Sequence, residues 1–90
     1  MGHSLLMANA TTAAEQAAAI GRGNAYEAID QVQDYDSRED AYHAYLANMR
    51  DTVHEQGLGA VGLSAAWDAF AAALTEEGWL TEDGELVREG

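Results

Sequence analysis

Gly57-Leu58-Gly59-Ala60-Val61-Gly62 has the lettering of a dinucleotide-binding turn, in which glycines let backbone N–H groups close on a pyrophosphate. That chemistry needs a strand before the glycines and a helix after them, within a parallel βαβ unit. Here a long helical pattern precedes the motif, so the glycines read as a connection between two helices. Asp34-Tyr35-Asp36 opens like a calcium loop, but Arg38, Glu39 and Tyr45 then occupy the positions where an oxygen ligand, Gly and Glu are required. It reads as a solvated acidic turn. Asp40 and His43 have a spacing that can bring a carboxylate and an imidazole to one ion, yet no second such pair completes a site. His43 and His54 are eleven residues apart, on one helix face but about three turns distant, so they cannot share a metal.

Nucleophilic chemistry has as little to work with. The chain contains no Cys, which removes disulfides, thiolate metal sites and a thiol nucleophile together. None of Ser4, Ser37 and Ser64 lies in a Gly-x-Ser-x-Gly elbow. The carboxylates fall on polar helix faces and in turns rather than in apolar surroundings that would raise a pKa toward general-acid duty. The sequence therefore predicts a protein that is not an enzyme and has no catalytic, cofactor-binding or metal-ligating residues.

The elements that would carry any surface are written in start and stop signals. Thr12-Ala-Ala-Glu15, Asn24-Ala-Tyr-Glu27 and Ser37-Arg-Glu-Asp40 each place a short oxygen-bearing side chain three residues before an acid, the arrangement of a helix N-terminus. Gly21 and Gly23, the polar stretch 34–36, Gly57 and Gly59, and Gly78 offer stops. With Ser64 as a fourth cap, the expected helices are 12–21, 24–34, 37–56 and 64–77. In the third, Tyr42, Tyr45, Leu46, Met49 and Val53 form one apolar stripe. In the fourth, Leu63, Trp67, Phe70, Ala71 and Leu74 form the expected buried stripe. Ala65, Ala69 and Ala72 then make a bland opposite face, to be covered by the Ala-rich first helix or by a second subunit. Trp79-Leu80-Thr81 and Glu85-Leu86-Val87 flank Glu82-Asp83-Gly84, a three-residue hairpin loop ending in Gly.

The expected fold is mainly α, or α+β at most: a compact four-helix domain over residues 9–90 with a short C-terminal β-hairpin, after an N-terminal stretch 1–8 that is disordered or an expression remnant. Its expected core is Ile29, Val32, Tyr45, Leu46, Met49, Val53, Trp67, Phe70, Leu74 and Trp79. The segment 63–87, a helix followed by Glu-Glu-Gly-Trp-Leu and a Gly-containing hairpin, resembles the recognition helix and wing of winged-helix domains over about a quarter of the chain. That resemblance implies a DNA-binding surface. Ala65, Asp68, Ala69 and Ala72 nevertheless offer no donor for base edges, and Glu82 and Asp83 at the hairpin tip would meet phosphates with like charge.

Charge is the strongest functional signal. Sixteen Asp and Glu stand against four Arg and no Lys, a net charge of −12 on 90 residues. Such a surface repels nucleic acid and anionic membrane and attracts basic surfaces. No apolar run approaches the roughly 18 residues of a membrane span, so a cytoplasmic protein is expected. Two acidic patches are predicted: Glu27, Asp30, Asp34, Asp36, Glu39 and Asp40, then Glu76, Glu77, Glu82, Asp83 and Glu85. Carboxylates on successive helical turns form a row at about 5 Å spacing, and B-DNA carries one phosphate charge per about 1.7 Å of axis. The leading expectation is an inhibitor that mimics DNA and occupies a basic nucleic-acid-binding groove, as phage or plasmid anti-CRISPR and antirestriction proteins do. The partner is then a nucleic-acid-handling protein, and the chain is a monomer or a homodimer through the alanine face of the fourth helix. A small helical adaptor, a structural module and an acidic halophile-type protein remain as alternatives.

Overall fold

The computed structural model describes the backbone of residues 2–87 and the side chains of residues 12–87. Met1, residues 88–90 and the side chains of residues 2–11 lie outside the described residues; the backbone of residues 2–8, expected to be disordered or an expression remnant, is the first part of α1. Three α-helices follow one another: α1 (Gly2–Gln31), α2 (Arg38–Glu55) and α3 (Gly59–Glu76), with a 3-10 turn at Val32–Asp34 between the first two.

The four-helix expectation fails in α1. Gly21 and Gly23 do not end a helix, and Asn24 does not begin one. Two glycines cost about 1 kcal/mol each in a helix interior, too little to break a segment so rich in alanine and free of proline. Asn24 instead donates from Nδ2 to the Ile20 carbonyl one turn back, at 2.9 Å. Ser64 is likewise internal to α3, whose N-terminal cap position is Leu58. Only Ser37 works as the sequence suggests, accepting from the Asp40 N–H at 3.1 Å at the start of α2.

Gly57 and Gly78 do close helices. Both have positive φ, 65° and 82°. At α2, Leu58 N–H donates to Val53 O and Gly57 N–H to His54 O; at α3, Trp79 N–H donates to Leu74 O and Gly78 N–H to Thr75 O. These are the paired bonds of a Schellman end, with an apolar residue just past the glycine above the last turn.

No strand forms among the described residues. After α3 the chain makes one antiparallel β-bridge, Leu80 with Leu86, with Thr81 N–H to Glu85 O at 2.8 Å and Val87 N–H to Trp79 O at 2.9 Å. The expected C-terminal β-hairpin, and with it the winged-helix-like C-terminal end, is therefore absent: a single bridged turn replaces the wing. Arg38 lies over the Trp79 ring, 5.4 Å from its centroid, and Trp79 and Leu80 are buried. The turn is held to the start of α2.

Small residues set the packing. Ala17, Gly21, Ala25 and Ala28 of α1 and Gly62, Ala66 and Ala73 of α3 are buried. A Cβ added at Gly21 would lie 2.8 Å from the carbonyl carbon of Ala66 and closer still to its oxygen; one added at Gly62 would lie 3.6 Å from the Ala17 Cβ. The pairings 17 with 62 and 21 with 66 make α1 and α3 parallel neighbours at close backbone approach. α2 runs antiparallel to both. Asn48 Nδ2 donates to Asn24 Oδ1 at 2.6 Å, and Gln16 donates to Gln56, fixing its register on α1.

This packing also corrects the predicted face of α3. The helix turns Gly62, Ala66 and Ala73 to α1, while Ala65 and Ala69 are half-buried and Ala72 is exposed, and Phe70, Leu74, Met49, Val53 and Leu46 fill the space toward α2. Ile29, Val32 and Tyr45 are half-buried. Trp67, an expected core residue, is 42% exposed and Leu63 is 38% exposed.

Candidate functional site

With α1 and α3 parallel, their C-terminal ends lie at one pole of the molecule, together with the N-terminal end of antiparallel α2. The two acidic stretches separated in the sequence therefore converge. Glu27 and Asp30 lie on the last turns of α1, Asp34 and Asp36 in the connection to α2, and Glu39 and Asp40 on the first turn of α2. Glu76 and Glu77 end α3, and Glu82, Asp83 and Glu85 lie in the bridged turn that Trp79 anchors beside Arg38. All eleven are exposed.

The remaining described acids are few and distant. Glu15, Asp51 and Glu55 lie toward the opposite pole and Asp68 midway along α3. Two cations border the acidic pole: Arg38 within it, and Arg22, which shares a small groove with Tyr26, Ala69, Ala72 and Glu76. His43 Nε2 is 3.9 Å from Glu39. Among the described residues no group of three or more His, Asp or Glu is disposed to hold a metal ion, and no helix is long and apolar enough to cross a membrane.

Helix dipoles bear unevenly on these charges. Glu39 and Asp40 occupy the first turn of α2, where the positive end of the helix stabilises them. Glu76 and Glu77 sit at the negative end of α3, and Asp30 at that of α1, where the dipole opposes them. Fold stability does not account for carboxylates placed there.

Aromatic side chains shape the base of the pole. Tyr35 and Tyr45 meet edge to face at 6.0 Å, and Tyr42 packs on Phe70 at 5.6 Å. Burial pushes the Tyr42 phenol up from its ordinary pKa. Tyr45 is pushed up first by burial, then by its hydrogen bond with Tyr35 and by nearby Glu27 and Asp34.

A second surface was not foreseen from the sequence. On the open side of the α2–α3 seam, Arg50, Val53, His54, Gly57, Gly59, Ala60 and Leu63 line a groove of about 420 Å³. Trp67 lies one turn beyond Leu63 on the same stripe. The signal that could have exposed it is the run of small residues in α1, which needs an equally small face to pack against and thereby turns Trp67 outward. No family model, curated protein or solved structure matches the chain.

Proposed function

We propose that the acidic pole is the working surface of a non-catalytic binding protein, which docks on the basic groove of a nucleic-acid-handling protein and excludes nucleic acid from it. One observation carries the reading. Two acidic stretches distant in sequence meet at one end of an elongated molecule of 55 × 25 × 18 Å. Acid needed only for hydration has no reason to gather at one pole, and at two helix C-termini it works against the fold. A concentrated negative pole raises association rates with basic surfaces and repels nucleic acid itself. An inhibitor of the anti-CRISPR or antirestriction type, encoded by a phage or plasmid, is the specific form this proposal takes.

The test begins with a partner captured from the natural host and then challenged with duplex DNA. Changing Asp34, Asp36 and Asp40 to Lys reverses three charges without touching the core, and association is expected to slow by at least about tenfold with a smaller change in dissociation. Glu82, Asp83 and Glu85 changed to Lys give the same result independently. Undiminished binding by both triple variants, or partner retention that DNA does not compete, refutes the proposal.

A further inference from the structure

We infer that the open side of the α2–α3 seam is a self-association surface, on which a second copy of this chain docks antiparallel. Leu63 and Trp67 are large apolar side chains, 38% and 42% exposed, in line along α3. Beside them the groove floor is Val53 and its α2 rim carries Arg50 and His54. No carboxylate lines this groove.

Charge selects the occupant. Two chains of net charge −12 repel wherever their acids are dense, so a copy can approach only where they are sparse. The acids converge on one pole and the groove opens toward the other. The seam thus runs from Glu39 at the acidic end of α2 to Arg50 and His54 near its other end. Paired antiparallel across a twofold axis, each copy sets its acid-bearing end beside the partner's Arg50 and His54, which line the groove, whereas Asp51 and Glu55 at the same end of α2 lie outside its lining. The two acidic poles then point to opposite ends of the dimer. A parallel pairing would set pole against pole. A twofold contact also buries Leu63 and Trp67 of both copies in one step. α1 covers Ala66 and Ala73, and the expected alanine face of Ala65, Ala69 and Ala72 is half-buried at its first two positions and carries no large apolar side chain to offer a second copy.

Sedimentation equilibrium of the full chain from about 10 μM to about 1 mM tests this, a range that brackets contacts of ordinary transient strength. A concentration-dependent dimer is expected, together with a blue shift of Trp67 emission as it forms; Trp79, buried in the core, contributes a constant background. Leu63→Glu and Trp67→Glu should each raise the dimer dissociation constant at least tenfold without loss of helical circular dichroism, and Arg50→Glu should raise it by less. Ala72→Glu, on the other flank of α3, should leave it unchanged. A chain that stays monomeric throughout overturns the inference and leaves the groove to a different protein. So does a dimer that survives both Leu63→Glu and Trp67→Glu, or one that Ala72→Glu abolishes. The wild-type mass and emission decide the matter even if a variant fails to fold.

Discussion

Gly21 and Gly23 lie two residues apart in one helix and should respond to alanine in opposite directions. At Gly21 a methyl group meets the Ala66 backbone, which cannot yield as a flexible side chain would; at Gly23 nothing lies within 4 Å. Gly21→Ala is expected to cost about 2–3 kcal/mol by forcing α1 and α3 apart. Gly23→Ala should gain about 0.5–1 kcal/mol, the ordinary preference of a helix interior for alanine. Urea unfolding of the two variants measures both, and equal responses would contradict the close approach of the helices. The Asn24–Asn48 pair makes a second claim at this scale. Asn24 is only 7% exposed, so Asn48→Ala leaves its buried carbonyl without a donor, at about 1–2 kcal/mol. In a double-mutant cycle the two asparagines should couple, because each loses its value without the other.

At the scale of the element, a capping signal is legible only where the chain has another reason to stop being helical. Ser37 follows the 3-10 turn and the extended Tyr35, so its oxygen meets a real helix start. Thr12, Asn24 and Ser64 have the same chemistry but lie inside helices that alanine propagates through them. Ser37→Ala should therefore cost about 1 kcal/mol, whereas Ser64→Ala should stay within about 0.5 kcal/mol; thermal melts distinguish them. The Schellman glycines were legible for the matching reason, since positive φ at Gly57 and Gly78 is a local demand. The facing of α3 was not. Its moment favours Trp67 and Leu63 inward, and the small residues of α1 override it. Tyr42 gives this packing a pH signature. Its phenol is raised by burial, so the unfolded chain deprotonates first, near the ordinary value of about 10. The stability it contributes is complete below that pH and is lost as pH rises from there through the folded-state pKa. Tyr42→Phe should flatten that alkaline loss in urea midpoints measured across the window.

The charge distribution belongs to the whole molecule. The sequence marked all eleven residues of the acidic pole, but as two patches, because nothing in either stretch reveals that residue 30 and residue 77 end parallel helices. That follows from the Gly21–Ala66 approach, a contact between positions 45 apart in sequence that periodicity does not encode. The convergence has a thermodynamic consequence that separates a working surface from a solvation coat. Exposed carboxylates crowded at one pole, two of them at the unfavourable end of α3, repel over distances that salt screens, with a Debye length of about 10 Å at 0.1 M and about 3 Å at 1 M. Stability should thus climb from low salt to roughly 0.3 M and then level off, the chain being folded cooperatively throughout. Glu76→Gln combined with Glu77→Gln should raise low-salt stability by about 0.5–1 kcal/mol and reduce the salt dependence, since it removes charge where the dipole opposes it. Urea midpoints across a potassium chloride series measure both. A chain that unfolds at low salt and gains stability steadily into molar salt would be using its acids for hydration, and the acidic pole would lose its claim to be a docking surface.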